Sequence, residues 1–305
     1  MRPARTLLVL LCLLAAIPSL HALAQGSTPL PLELEQGQLA TAPAAAPGVV
    51  RVVSFNVHHA DDVPGLIRSL RGNPELCAAD VFLLQEMESF PSEGSSRTRR
   101  LAEALRLNYV YAPARLKEAG DGTHGLAVLS RFPLSEIEVI PLKQYNLGVN
   151  TRRRIALGVT LELGERRLRV YNVHLDTRIN ARQRIEQLQP IVAAAQRHVV
   201  SGVVLGGDFN TNPFYWLLPV FPVFRSNQAK AMDDHMKESG FAAPFSDAGG
   251  TMKKWGGRFR VDSIYSQGLA VRGFAVEDGV VVSDHFPVWV DLTWPEKPAA
   301  AAAPR

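Results

Sequence analysis

Five apolar segments of the chain end on, or open from, side chains suited to a site that holds a cation and a phosphate. Residues 51–55 run into Asn56, and residues 80–85 run into Glu86. Residues 168–173 lead to His174, and residues 202–207 lead to Asp208, with Asn210 two positions on. Ser283, Asp284 and His285 open the apolar run 286–290. One carboxylate beside a strand is ordinary. Carboxylates, amides and imidazoles set repeatedly at strand ends predict a single rim on which they converge on a cation.

The stretch Gly206-Gly207-Asp208-Phe209-Asn210-Thr211-Asn212-Pro213 is the strongest local motif. Its two glycines allow the backbone to end a buried strand close to a ligand. Asp208 and Asn210, on alternate positions, face the same side. Taken alone, an Asx-rich turn closed by Pro213 fits as well. Asp284 and His285 are adjacent, so on a strand they point to different partners: one a cation, the other a water or phosphate.

The elements that must place these groups form a pattern that occurs twice. A strand ending in Asn56-Val57-His58 is followed by a helix near 63–71, a strand over 80–85 and Glu86. A strand ending in Asn172-Val173-His174 is followed by a helix over 180–197, a strand over 203–205 and Asp208. In the second helix Ile185, Leu188, Ile191, Val192 and Ala195 recur at helical spacing. Further strands are predicted over 125–129, 137–141, 154–163, 260–265 (carrying Asp262) and 287–292. Strands dominate and helices sit in the crossovers, which favours an α/β sandwich over a barrel of eight regular strand–helix units.

Bulk properties fit that picture. The chain has 305 residues, 47% of them hydrophobic, with mean hydropathy near zero. That is the composition of a soluble globular protein with one substantial domain. The formal net charge of +4 provides no dominant basic field of the kind a dedicated nucleic-acid protein carries. Residues 1–24 read as an export signal: Arg2 and Arg5, an apolar stretch over 7–17, then Ala22-Leu23-Ala24 before Gln25. The expected location is therefore secreted or periplasmic, with no membrane span once the signal is removed. Residues 25–48 read as a flexible Ala/Pro-rich arm, 49–294 as the globular body and 295–305 as a disordered tail. Cys12 leaves with the signal, so Cys77 is left alone and is expected as a packed or partly buried thiol rather than a catalytic one. A monomer is expected.

Six short motifs occur in one order: Ser54-Phe55-Asn56, Gln85-Glu86, Asn172-Val173-His174-Leu175, Gly207-Asp208-Phe209-Asn210, Asp262-Ser263-Ile264 and Ser283-Asp284-His285-Phe286-Pro287. In this the chain resembles the endonuclease/exonuclease/phosphatase superfamily over residues 49–292. That group includes deoxyribonuclease I, exonuclease III-type repair nucleases, neutral sphingomyelinases and inositol-polyphosphate 5-phosphatases. The resemblance implies a four-layered α/β sandwich, two central mixed sheets flanked by helices, and Mg²⁺- or Mn²⁺-dependent cleavage of a phosphate ester. It implies Glu86 as the principal metal ligand, with Asn56 beside it and Asp284 nearby. Asp208 would orient or deprotonate water, and Asn210 would donate to the transition state. His285, held by Asp262, would act as general acid/base, and His174 would contact a phosphate oxygen. A phosphate-binding arginine is implied within Arg152-Arg153-Arg154, where Arg153 or Arg154 is favoured. His124 stands where many relatives have a tyrosine, and is expected to substitute for it in part. His58 and His59 are assigned by default to the surroundings of the site or the surface.

Each main position keeps a chemically competent residue, which argues against a non-catalytic binding protein. The substrate class stays open among nucleic acid, a phospholipid head group and a sugar phosphate, because the catalytic set is shared by enzymes acting on all three. Arg97, Arg99 and Arg100 are expected as solvated charges on a helix. The aromatic stretch 214–224 offers two readings, a lipid-contacting edge or a core helix followed by an extended crossover. The core helix is the expectation, since aromatic stretches are usually buried. The exported form is expected to begin near Gln25. N-terminal sequencing of secreted protein checks this, and an intact leader on that product would exclude it.

Overall fold

The computed structural model describes residues 32–41, 47–118, 120–148, 151–218, 221–254 and 256–295. The predicted leader, Cys12 and nearly all of the predicted tail lie outside these residues. In chain order, strands β1 (Glu35–Gly37) and β2 (Val50–Asn56) precede helices α1 (Val63–Gly72) and α2 (Pro74–Cys77). Strand β3 (Val81–Ser89) and helix α3 (Arg97–Leu105) follow. Next come β4 (Asn108–Leu116), β5 (Thr123–Ser130), β6 (Leu134–Pro141), β7 (Ile155–Leu163) and β8 (Arg166–His174). Helix α4 (Ala181–Ala195) leads to β9 (Gly202–Asp208) and the short strands β10 (Phe214–Leu218) and β11 (Phe221–Arg225). Helix α5 (Gln228–Glu238) then precedes β12 (Met252–Lys254), β13 (Gly257–Phe259), β14 (Asp262–Gln267), β15 (Ala270–Val276) and β16 (Val288–Thr293).

Two mixed sheets form the centre. The first has seven strands in the order β1-β4-β5-β3-β2-β16-β15, and the second has five in the order β14-β9-β8-β7-β6. Each contains one parallel pair, β2 with β3 and β8 with β9. These pairs are the two strand–helix–strand units echoed in the sequence. Both crossover helices start where side chains cap them. Asp62 accepts from the Gly65 N–H, and Asn180 and Gln183 form a reciprocal capping box.

The layering follows from which faces are apolar. Phe55, Phe82, Leu84 and Tyr111 of the first sheet pack on Leu66 and Leu70 of α1 and Leu101 of α3. Tyr171, Val173 and Leu205 of the second sheet pack on Leu188 and Ile191 of α4 and on Met232 and Met236 of α5. The opposite faces meet each other, giving helix, sheet, sheet, helix. Gly206 permits this approach, because a Cβ there would lie 2.7 Å from Leu83 Cδ1. At Gly207, with φ of 149°, a Cβ would lie 2.1 Å from the Val173 carbonyl oxygen. The glycine pair thus serves close packing of backbone and sheets rather than room for a ligand.

A buried amide network ties the two sheets together. Gln85 Nε2 donates to Asn172 Oδ1 at 2.7 Å, and Asn172 Nδ2 donates to the carbonyls of Leu84 and Ala127 at 2.8 and 2.9 Å. Gln85 Nε2 also reaches Ser54 Oγ at 3.2 Å.

Several expectations are corrected here. Glu35–Gly37, assigned to the flexible arm, pairs antiparallel with β4, and Asn108 Oδ1 accepts the Leu39 and Ala40 N–H groups. That pairing uses backbone groups, which composition does not report. Strand β4 itself escapes the sequence pattern because it is buried on both faces through Ala114 and shows no alternation. Cys77 is exposed, not packed. Arg97 is buried, and its guanidinium donates to the His59 carbonyl and to Asp61 Oδ1, both at 2.7 Å. The 214–224 stretch forms the antiparallel hairpin β10–β11 and no helix.

Asn172→Ala would leave Gln85 and two buried carbonyls without this partner. The expected loss is about 3 kcal/mol of unfolding free energy, measured by urea denaturation. A loss below about 0.5 kcal/mol would show that the network is not what couples the sheets.

Candidate active site

The rim of the second sheet is built by register. His174 at the end of β8 sits beside Asp208 at the end of β9, and Asp208 sits beside Asp262 at the start of β14. On the first sheet, Asn56 ends β2 and pairs with Gln85 of β3. The expected strand end at Glu86 is a bulge instead: β3 continues to Ser89, its register breaks between Gln85 and Met87, and Glu86 has φ of 60°. A bulge re-aims one side chain, here the Glu86 carboxylate, into the cleft. Asp284 and His285 precede β16, which pairs with β2.

The two rims touch directly. Asn56 Nδ2 donates to Asp208 Oδ2 at 3.0 Å, and Asn56 Oδ1 accepts the His58 N–H at 3.1 Å. Asp208 Oδ1 accepts the Asn210 N–H at 2.8 Å. The Asn210 side-chain amide donates to the Leu175 carbonyl at 2.9 Å, so it fixes its own loop as well as facing the cleft. His285 Nδ1 lies 2.9 Å from Asp262 Oδ2, and its Nε2 lies 3.9 Å from Asp208 Oδ2. His174 Nε2 lies 3.5 Å from Asp208 Oδ2 and 3.9 Å from Glu86 Oε1. Asp284 diverges from His285, with its carboxylate 3.9 Å from His58 Nδ1.

Sequence reasoning passed over Thr251. Its hydroxyl donates to Asp262 Oδ2 at 2.7 Å and accepts the N–H groups of Val261 and Asp262. It therefore holds the carboxylate that holds His285. His59 was also undervalued. Its Nε2 lies 3.5 Å from Glu86 Oε2 and its Nδ1 lies 2.9 Å from Glu88 Oε1, with His124 Nδ1 3.4 Å from the same Glu88 oxygen. Lys117 pairs with Glu88 too. The adjacent histidines at 58–59 and the acids at 86 and 88 were the available signal.

Of these groups His58, His59, Glu86, His124, His174, Asp208, Asn210, Asp284 and His285 line one cleft of about 570 Å³, while Asn56, Glu88, Thr251 and Asp262 lie behind that lining. Arg152 and Arg154 line it, and Arg153 does not. Arg153 instead borders a small adjoining recess together with His124, Arg154 and His174. Arg154 Nε is held by Asp176 Oδ1 at 3.0 Å. Arg178 and Lys254 add positive charge, and Phe214, Trp216 and Pro222 of the β10–β11 hairpin form an apolar wall.

Burial makes the charges in this cleft interact strongly. It pushes the Asp208 carboxyl up to about 7, assisted by the charge of Asp262, while His285, the Asn210 N–H and Asn56 pull the other way. Burial opposes a charged His285, but Asp262 and Asp208 outweigh it and raise the imidazole well above its usual value. His174 is pushed well below its usual value, first by burial and then by Arg154. Glu86 is lowered although burial acts against it, because the charges of His124 and His59 favour the carboxylate. The arrangement thus offers a carboxylate near neutrality, a protonated imidazole, a neutral imidazole and an ionised acid around one space.

A model described as the Endonuclease/Exonuclease/phosphatase family matches residues 53–285. No curated protein matches the sequence. Similar solved structures include an endonuclease/exonuclease/phosphatase from Beutenbergia cavernae DSM 12333, 22% identical with a TM-score of 0.63, over 83% of this chain and 74% of that one. D. rerio TDP2 complexed with a single-strand DNA product is 16% identical with a TM-score of 0.57, over 81% of this chain and all (100%) of that one. The mannosyl-6-phosphatase of Bacteroides thetaiotaomicron VPI-5482 is 17% identical with a TM-score of 0.57, over 80% of this chain and 100% of that one. At these identities the likeness carries the fold, the α/β arrangement of two mixed sheets flanked by helices.

His285→Ala and Asp208→Asn are each expected to lower turnover by roughly a hundredfold or more in well-folded protein, with smaller effects on KM. Asp262→Asn should match His285→Ala, and the double change should cost little beyond either one, since the two side chains act as a unit. Steady-state kinetics on a soluble phosphate ester, with circular dichroism as the fold check, separates this from a purely structural role. Near-normal turnover by folded His285→Ala protein would remove His285 from the chemistry.

Proposed function

The chain belongs to the endonuclease/exonuclease/phosphatase family, whose members are phosphoesterase hydrolases and generally need a divalent metal, and we propose that it is a Mg²⁺-dependent phosphodiesterase of nuclease type acting outside the cytoplasm. The observation that carries the reading is the Asp262–His285–Asp208 arrangement. It is a buried carboxylate 3.9 Å from an imidazole that a second buried carboxylate holds in place.

Each residue takes a step that its surroundings favour. Asp208, with its proton affinity raised toward neutrality, is suited to orient a water and accept its proton. Protonated His285 is suited to give a proton to an ester oxygen as it leaves, with Asp262 and Thr251 fixing the ring. His174, neutral in its buried setting, can donate one hydrogen bond to a non-bridging oxygen without adding charge. Arg154, braced by Asp176, supplies fixed positive charge for the anionic phosphate.

The residues present fit a hard cation. Glu86 is held ionised in a largely buried position, where its nearest ion-pair partners are two imidazoles. Glu86, Asn56 and Asp284 would hold Mg²⁺ through oxygen, with Mn²⁺ as an alternative. Bound there, the cation would lower the free energy of charge developing on the phosphate oxygens.

A diester is favoured over a monoester because the cleft lining is of two unlike kinds. One is cationic, with Arg152, Arg154 and Arg178, and the other is apolar, with Trp216 and Pro222. A phosphate at His285 with two substituents would use both. The exported location rests on the leader sequence.

Activity should vanish in excess chelator while the circular dichroism spectrum persists, since these three ligands are too few to form a structural cage. Glu86→Gln should raise the metal concentration needed for half-activation by about tenfold or more, the change being the loss of one charge from a hard-oxygen site. Assays on DNA, RNA, sphingomyelin, a phosphoinositide and mannose 6-phosphate decide the substrate. Cleavage of the monoester alone would replace the diesterase reading, and full activity in chelator would remove the metal.

A further inference from the structure

The β10–β11 hairpin has two different faces. Trp216 and Pro222 turn into the cleft, and Trp216 is anchored at its backbone and its ring. Asn180 bonds its N–H and carbonyl at 2.8 and 2.9 Å, and Asn212 Oδ1 accepts its indole N–H at 3.2 Å. The hairpin is thereby fixed to the body, as a lone two-stranded hairpin in water would need to be. Its other side chains are spent differently. Leu217 is 66% exposed, Phe221 61% and Val223 50%, all within one short hairpin beside the cleft mouth. Single exposed apolar residues are normal, but three on one short hairpin mark a contact surface.

The neighbouring element carries charge. Phe214 of the hairpin packs edge-on against Phe259 of β13, with ring centroids 6.1 Å apart. Strand β13 pairs with β12, in which Met252 and Lys254 face the cleft and the exposed Lys253 faces the other side. An anchored hairpin with exposed apolar side chains near an exposed lysine is complementary to a bilayer with anionic head groups. The apolar side chains enter the acyl boundary and Lys253 stays at the phosphate level. A second copy of the chain is a poorer fit. Three part-exposed side chains offer far less than the roughly 800 Å² per partner that a stable interface buries.

We propose that the β10–β11 hairpin is a membrane-docking element that inserts Leu217, Phe221 and Val223 into an anionic phospholipid surface, with Lys253 adding attraction to the head groups. Docking would set the cleft mouth at the lipid surface, because Trp216 and Pro222 line the cleft from the same hairpin. It does not depend on which phosphate ester is cleaved.

The experiment is co-sedimentation of the purified protein from Gln25 onward, free of the apolar leader, with vesicles of phosphatidylglycerol and phosphatidylcholine, and with vesicles of phosphatidylcholine alone. Wild-type protein is expected to sediment with the anionic vesicles, more weakly as salt rises. The double variant Leu217→Asp/Phe221→Asp should bind at least about tenfold more weakly, with an unchanged melting midpoint, because both side chains are already in water. Lys253→Glu, which leaves the apolar face intact, should weaken binding to anionic vesicles and flatten its salt dependence. Wild-type protein remaining in the supernatant with both vesicle types would overturn the proposal, as would equal binding by the double variant. A solution dimer dispersed by Leu217→Asp/Phe221→Asp would also overturn it, showing that a second copy covers the hairpin. The sedimentation result is independent of turnover, so loss of the phosphodiesterase reading would leave it standing and the reverse.

Discussion

The site exists only while two separate sheets keep one relative position. Glu86 and Asn56 belong to the seven-stranded sheet, and His174, Asp208 and Asp262 to the five-stranded one. Apolar packing between sheets is non-directional and tolerates small slides. The Gln85–Asn172 amide pair is directional, and each of its bonds is fixed near 2.7 to 2.9 Å to a named atom on the opposite sheet. At the rim the Asn56–Asp208 bond repeats the link. Buried polar groups of this kind are costly when unpaired, so a slipped arrangement is disfavoured and register is specified.

That rigidity permits an electrostatic arrangement which is unfavourable on its own. Asp208 and Asp262 are both buried and are neighbours in register. Two such carboxylates repel, and burial disfavours the charge on each. His285 between them, the amide of Asn56 and the Thr251 hydroxyl offset part of this, and the remainder appears as the raised proton affinity of Asp208. Backbone strain gathers at the same place. Of the seven non-glycine residues with positive φ among those described, His58, His59, Ala60, Glu86 and Asn210 lie on or beside the cleft. Left-handed backbone at such residues costs about 1–3 kcal/mol each and persists where surrounding bonds impose it. Arg97 on the His59 carbonyl and Asp208 on the Asn210 N–H are bonds of that kind.

The sequence made the alternation of β strands with crossover helices legible, and the polar residues at strand ends marked most of the cleft. Helix α4 was readable from the spacing of its apolar residues, and Asp208, Asp262 and His285 from their motifs. What stayed hidden depends on tertiary facts. Thr251 matters through a bond to a residue eleven positions away. The turn of Glu86 into the cleft depends on a bulge that interrupts an otherwise regular strand. Aromatic composition pointed to a buried helix at 214–224, whereas Pro222 and the alternation of inward and outward side chains suit a hairpin. Which of Arg152, Arg153 and Arg154 line the cleft and which border its adjoining recess depends on the tertiary path of the chain before β7.

The most direct test of this two-sheet site is diffraction from crystals soaked in Mn²⁺, collected at the manganese absorption edge. An anomalous peak is expected in contact with the Glu86 carboxylate and within reach of Asn56, on the cleft side of the Asn56–Asp208 bond. A peak held by His59, Glu88 and His124 instead, with none at Glu86, would contradict the assignment of the cation to the junction of the two rims.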